Sequence, residues 1–190
     1  SGACETYCYS LKAWRYPASF LSQVQNTLLM FNFDIIEKEF EKLIYNKKTK
    51  LGKLDKIDFR LYVDGDFSNE KDIKNWMQLL KWNIKVNAYG YSKSLNLFLN
   101  LVDNLYKFPS NYVLNLSNGG IYDSLKKFLI NEHFVRGNFT AVKGDKKTIR
   151  KQFKNKVFIC PSKCGTCTNI GHACGNNTIF KDMEIVIPIH

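Results

Sequence analysis

Apolar and polar residues alternate between Ile57 and Val63, with apolar side chains at every second position. This period of two predicts a β-strand. Similar patterns at 84–90 and 112–116 predict two more strands. Shorter apolar runs predict later strands near 139–142, 157–159 and 184–189.

The segments between these strands have helical spacing. From about Pro17 to Tyr45, apolar residues recur every three or four positions, which predicts a long helical stretch before the first strand. A second helix is predicted to begin at Ser68 or Asn69, which are good N-cap residues. Further helices are predicted after Ser94 and through 125–129.

Three consecutive strand–turn–helix units predict a parallel sheet, because each helix supplies the crossover between neighbouring strands. We therefore expect an α/β fold with a mostly parallel sheet, crossover helices and an open or incomplete barrel. At 190 residues, the chain fits a single domain over 1–190. Some antiparallel pairing is expected among the C-terminal strands.

Parallel strands bring their strand-to-helix turns to one edge of the sheet, so three polar turns are predicted to share a cleft. Asp66 and Lys93 are the catalytic candidates if the protein is an enzyme: Asp66 to orient a ligand hydroxyl, and Lys93 to neutralise a phosphate or carboxylate. The alternative is that these turns only cap helices and reverse the chain. The other candidate ligand-binding residues are Asp64, Ser68, Ser92, Ser117 and Asn118.

A cysteine-rich segment at 160–175 carries the sharpest chemical signal, with Cys160, Cys164, Cys167 and Cys174 close together. Clustered thiolates favour zinc or an iron–sulfur cluster. Zinc ribbons normally use two Cys-x2-Cys pairs and this segment has one, so the spacing favours an iron–sulfur cluster, with zinc or a disulfide loop as alternatives. We expect a metal-binding loop here.

The spacing Cys160-x3-Cys164-x2-Cys167 is that of the 4Fe-4S motif in radical S-adenosylmethionine enzymes, in which an open iron binds the cofactor. Cys174 offers a fourth ligand that would close the cluster. Cys4 and Cys8, near the start of the chain, are further candidate ligands of the same cluster or of a second site.

The charge balance suggests a polyanionic partner. Lys and Arg number 28 against 17 Asp and Glu, which gives a net charge of +11, so nucleic acid is a candidate partner beside an anionic small molecule or nucleotide. Only four of the 28 are Arg, however, and a Lys- and Asn-rich composition also arises from an A/T-rich genome. No stretch is long and apolar enough to span a bilayer and no signal segment opens the chain, so we expect a cytoplasmic protein.

Several motifs together resemble the phage gene-product-88 domain family. The resemblance implies a phage or mobile-element protein, with the host cytoplasm as its location, and implies no particular activity. The layout is also similar to that of radical S-adenosylmethionine proteins, with an acidic turn after one strand and a lysine turn after the next. The motifs are 2–9, Arg60 with 65–68, Trp76, 91–94, 111–117, Cys160-Pro161 and the last strand to His190.

The leading hypothesis is thus an iron–sulfur protein, with redox or radical-S-adenosylmethionine-like chemistry on an anionic small molecule or nucleotide. The alternative is a nucleic-acid-binding phage protein with a structural zinc or iron–sulfur site. A virion or host-interaction component is a third possibility.

Overall fold

The computed structural model describes residues 13–63, 65–153, 156–161, 163 and 165–189. Six α-helices lie in these residues: α1 (Pro17–Leu29), α2 (Phe33–Tyr45), α3 (Glu70–Trp82), α4 (Leu95–Asp103), α5 (Lys126–Leu129) and α6 (Lys146–Gln152). The same residues form six strands: β1 (Ile57–Leu61), β2 (Val86–Ser92), β3 (Tyr112–Ser117), β4 (Val135–Lys143), β5 (Val157–Ile159) and β6 (Glu184–Ile189).

The strands form one sheet in the order β1-β2-β3-β4-β6-β5, with β1 and β5 at its edges. Every neighbouring pair is parallel, which confirms the α/β class. The expected antiparallel mixing at the C-terminus is wrong. Both late connections are long enough to cross over, because α6 lies between β4 and β5, and the cysteine-rich segment lies between β5 and β6.

The first helical stretch differs from its prediction in being two helices. The break falls between Leu29 and Phe33, so that α1 and α2 run as separate segments. Only α2 buries side chains fully, through Phe40 and Ile44, whereas α1 has none fully buried. The apolar spacing of α1 therefore predicted a helix correctly without indicating that it lies on the surface.

One face of the sheet, here named the helix face, packs against α2 to α5. Side chains such as Leu61, Ala88 and Leu114 alternate toward this face. A row of aromatic rings fills it, with the Phe108 and Phe134 centroids 3.8 Å apart and stacked. This apolar layer is the main core of the protein.

The opposite face, here named the cysteine face, is covered by the segment between β5 and β6. Its buried members come from β2, β3, β6 and this segment. Partly buried side chains, the thiols of Cys160 and Cys167 among them, pack around these members. The buried residues of this cysteine-face cluster are Tyr89, Val113, Ala173, Cys174, Phe180 and Ile185.

Candidate functional site

The turns after β1 and β2 are joined by the carboxylate of Asp66. Its Oδ1 accepts hydrogen bonds from the Ser92 hydroxyl at 2.7 Å and from the Phe67 N–H at 2.8 Å. Its Oδ2 accepts from the backbone N–H groups of Lys93 at 2.6 Å and Ser94 at 3.1 Å. Burial raises the pKa of Asp66, and these hydrogen bonds act in the opposite direction. The two carboxylate oxygens of Asp66 therefore hold the turns after β1 and β2 together.

The turns after β2 and β3 meet through Lys93. Its aliphatic chain runs across Gly120, where an added Cβ would lie 2.9 Å from the Lys93 Cβ. Gly120 is thus needed for close approach rather than for a turn alone. The ammonium of Lys93 is also near enough to Lys126 to act on its pKa, which burial lowers.

Asn118 belongs to a polar network on the third turn. Its Oδ1 accepts from the Lys126 ammonium, and its Nδ2 donates to the hydroxyl of Thr140 and to the Glu184 carboxylate. Lys126 also pairs with Asp123 at 3.2 Å. Asp123 in turn accepts from the backbone N–H groups of 119 and 120, so this turn is held by internal bonds.

The predicted convergence of three turns thus has a structural basis in Asp66 and Lys93. Ser68 bonds Asp72 at the start of α3, where Asn69 is the N-cap, and Ser117 is buried at the end of β3. Ser94 occupies the N-cap position of α4 without capping it, and its hydroxyl instead donates to the Phe67 carbonyl at 3.0 Å. Asp64 lies outside the described residues. Ligand binding by these turns stays a prediction.

Cys174 is the most buried of the described cysteines, at 7% exposure. Burial raises the pKa of its thiol to about 11, against the opposing effects of a hydrogen bond with Tyr91 and the charge of Arg136. Burial likewise raises the pKa of Tyr91. The Tyr91 ring packs on Phe139, with centroids 4.4 Å apart. Cys174 therefore sits in a largely apolar site with one hydroxyl and one cation beside it.

Cys160 and Cys167 are close enough to influence the Cys174 thiol electrostatically. The described part of the chain contains no three His, Cys, Asp or Glu side chains arranged to hold a metal ion. Cys4, Cys8 and Cys164 lie outside the described residues. The donor chemistry of the three thiols suits a soft metal, but their positions do not form a ligand set by themselves.

Two buried or half-buried asparagines attach the cysteine-rich segment to the sheet. The Asn115 amide donates to the Cys174 carbonyl at 2.9 Å and to the Gly90 carbonyl at 3.0 Å. The Asn87 amide donates to the Gly175 carbonyl at 3.2 Å. These bonds fix the backbone around Cys174 while leaving its sulfur to face Tyr91.

Arg136 extends from a bulge in β4 into the same layer. The register with β3 passes from Val135 to Gly137, so Arg136 is the extra residue. The bulge changes which side chains face the cysteine side, and Phe139 joins Arg136 there. The Gly137 position is also tight, since a Cβ would lie 3.2 Å from the Met183 carbonyl oxygen.

A sequence profile described as gene product 88 matches residues 1–179. The chain belongs to the gene product 88 family. Comparisons with curated proteins and with solved structures gave no match. Among the described residues of this family member, no helix is long and apolar enough to cross a membrane.

Two site residues of this gene product 88 family member were missed by sequence analysis. Asn115 appeared as an ordinary strand residue, yet it is fully buried and bonds the segment around Cys174. Arg136 is also fully buried. Its sequence signal was its rarity, because it is one of four arginines among 28 basic residues and follows an apolar pair.

Proposed function

We propose that this gene product 88 family member binds an iron–sulfur cluster of the 4Fe-4S type through Cys160, Cys164, Cys167 and Cys174, and that it acts in redox chemistry. The observation that carries the proposal is the common neighbourhood of the three described thiols. Cys160, Cys167 and Cys174 all pack in the cysteine-face cluster. Thiolates in a partly apolar site are the donors that iron–sulfur clusters use.

Metal binding would have to draw these thiols together. The segment includes short 3-10 helices at Thr168–Ile170 and Ala173–Gly175, joined through Gly171 and His172, both of which have positive φ. Such a chain of turns can close around a metal when binding supplies the free energy. Cys4 and Cys8 remain candidate additional ligands.

Cys174 favours a closed cluster over one that binds S-adenosylmethionine. It shares its site with Cys160 and Cys167, and a fourth thiolate would occupy the iron that the cofactor needs. A closed cluster transfers electrons or stabilises structure. We therefore favour a redox role over radical-S-adenosylmethionine-like chemistry.

An anionic small molecule or nucleotide is the ligand class that the strand-end turns favour. The Lys93 side chain lies there across Gly120, and an ammonium binds phosphate or carboxylate as a point charge. Equilibrium dialysis with ATP tests this role, and Lys93→Met is expected to weaken binding at least tenfold. Lys48→Met, on an exposed loop, is the matched control. Equal affinity in both variants would contradict the assignment.

Anaerobic purification followed by iron, sulfide and zinc analysis tests the cluster. We expect iron and sulfide in equal amounts and a broad visible absorption that dithionite bleaches. Cys174→Ser and Cys167→Ser are expected to lose most of the iron. Thr168→Ala, an exposed change in the same segment, is the matched control and should retain it. A colourless protein with stoichiometric zinc would refute the iron–sulfur assignment.

A basic helix supports nucleic-acid binding as a second candidate function. Helix α6 exposes Lys146, Lys147, Arg150 and Lys151, and its only fully buried residue is Ile149. Phosphate contacts of this kind release counterions, so affinity falls steeply with salt. Binding of duplex DNA and of RNA at several salt concentrations tests it. Salt-independent or absent binding would exclude it.

A further inference from the structure

Helix α1 and the turn that follows it present an exposed apolar surface, here named the α1 face. It consists of Leu21, Val24, Leu28, Phe31 and Ile35. Leu21 and Leu28 are 63% and 62% exposed, and Phe31 in the turn is 85% exposed. Single apolar side chains are common on protein surfaces, but a patch of several usually marks an interaction site.

The members of the α1 face lie along a groove between α1 and α2. Leu21, Val24 and Leu28 line it from α1, and Ile35 lines it from α2. Phe31 adjoins the groove, because its backbone N–H donates to the Leu28 carbonyl at 3.2 Å. Spacings of three and four positions from Leu21 to Leu28 are those of the a and d positions of a coiled coil. The α1 face therefore has the pattern of a helix–helix interface.

This face lies in an uncharged stretch of a strongly basic protein. No Asp, Glu, Lys, Arg or His occurs from Tyr16 to Phe33. The whole chain has a net charge of +11, so two copies repel each other wherever their lysine-rich surfaces meet. The uncharged stretch also offers no cation to the phosphates of nucleic acid or of anionic lipids. Charge therefore favours contact with an apolar protein surface, and a second copy meets least repulsion here.

We propose that the α1 face is the interface of a homodimer, in which α1 of each protomer packs along the groove of the other. A two-fold axis brings the same patch of both protomers together, so one self-complementary face is sufficient. This inference goes beyond the proposed function and does not depend on the cluster.

The exposed area is large enough for such a dimer. Aromatic side chains offer the most surface and aliphatic ones somewhat less, so the five residues leave roughly 500 Å² uncovered on each protomer. Pairing of two copies would bury about 1,000 Å² in total, which is the size that a specific interface needs. Polar residues around the groove would add to this area.

Two other occupants of the α1 face compete with a second copy. Residues 1–12 of the same chain lie outside the described residues. Their only aliphatic residue larger than alanine is Leu11, and Glu5 and Lys12 would bring charge to an uncharged groove. A membrane surface is the other competitor, but helices that bind membranes normally carry Lys or Arg on their polar face. The polar residues of α1 are all Ser, Gln, Asn or Thr.

Sedimentation equilibrium of the full chain over a wide range of concentration tests the dimer. The wild type is expected to approach twice its mass of 22.1 kDa as concentration rises. Leu28→Lys should weaken dimerisation at least tenfold, because it places two like charges in the interface. Leu105→Lys, at an exposed leucine after α4, is the matched control and should dimerise like the wild type.

A wild type that stays monomeric would overturn the proposal, and so would a Leu28→Lys variant that dimerises as the wild type does. Far-UV circular dichroism checks that this variant folds. If it does not, Phe31→Ser decides the question by the same criterion.

Hydrogen exchange distinguishes the second copy from the other occupants. In a dimer, the amides of α1 should become more protected as protein concentration rises. A monomer in which α1 is equally protected at every concentration would assign the groove to residues of the same chain. Flotation of a monomer with phosphatidylcholine vesicles would assign the face to lipid. Either of these two results would overturn the proposal.

Discussion

The two faces of the sheet are built from different interactions. On the helix face, aromatic and aliphatic side chains interlock, as where Phe98 meets Phe67 with ring centroids 5.4 Å apart. On the cysteine face, Asn115 and Arg136 hold backbone carbonyls of the covering segment through side-chain hydrogen bonds. The first face is ordered by apolar burial and the second by polar anchoring.

This difference indicates which face is stabilised by apolar burial alone and which depends on polar anchors. Apolar burial gives net stabilisation without a ligand. A buried amide or guanidinium contributes little net stability even when it is fully bonded, and its loss is costly. The cysteine face therefore depends on its buried polar anchors, whereas the helix face is a self-sufficient core.

The largest expected effect is on the helix face. Phe98→Ala removes a fully buried ring that also contacts Phe108 and Phe134. The free energy of unfolding should fall by about 3–5 kcal/mol through lost burial and an unfilled cavity. Urea unfolding followed by far-UV circular dichroism measures it. Phe128→Ala, where the ring is 55% exposed, should cost under about 0.5 kcal/mol, and equal losses would contradict the assignment of the core.

Asn115→Ala is expected to lower the free energy of unfolding by a similar amount, with its structural effect confined to the surroundings of Cys174. The variant leaves the Arg136 Nε and the Cys174 carbonyl without this partner. We expect a loss of about 3 kcal/mol and faster reaction of Cys174 with a thiol reagent, measured by mass spectrometry of the labelled residue. Asn100→Ala, at an exposed position on α4, is the control. Unchanged labelling of Cys174 would show that Asn115 does not hold the segment.

Asp66→Asn should have a smaller effect and spare the cysteine face. An Asn amide would place N–H groups against the N–H donors of Lys93 and Ser94 that now bond Oδ2. The expected loss is about 2 kcal/mol in unfolding free energy, with iron content unchanged. Asp103→Asn on the surface of α4 is the control. Loss of iron in Asp66→Asn alone would show that the two sites are coupled.

The sequence predicted the helix face better than the cysteine face. Alternation from Ile57 predicted a strand and helical spacing around Trp76 predicted a helix, because both patterns arise from burial against one apolar layer. The structure has β1 and α3 at these places. Strand β4 was predicted only from 139, although it begins at Val135. The bulge at Arg136 breaks the period of two, and no alternation pattern can show a residue inserted in that way.

The sequence indicated that the C-terminal cysteines lie close together, but not which residues they contact. The spacing of the cysteines indicated a shared role, and three of them do pack together. The sequence did not show that both oxygens of Asp66 accept hydrogen bonds from the turns after β1 and β2. Such bonds depend on how far the two strands extend relative to each other. The hydrogen bond between Tyr91 and Cys174 joins residues from distant parts of the chain. It is seen only in the structure, where the segment between β5 and β6 packs on the sheet.

The last expected effect is absent at neutral pH and appears only at alkaline pH, through a tyrosine on the helix face. Burial raises the pKa of Tyr62 to about 12, from 10.0 for an ordinary tyrosine. The folded state therefore holds this proton over a range in which the unfolded chain releases it. The stability associated with neutral Tyr62 is complete below pH 10 and is lost as pH rises toward 12.

Wild type should thus lose about 2 kcal/mol more than Tyr62→Phe between pH 10 and 12, on the basis of 1.36 kcal/mol per pKa unit. Urea unfolding of both proteins across this range measures the difference, and other alkaline titrations cancel because they are common to both. Parallel pH profiles would mean that the Tyr62 hydroxyl is open to water. The helix face would then be less tightly closed around the end of β1 than its aromatic packing against Phe67 indicates.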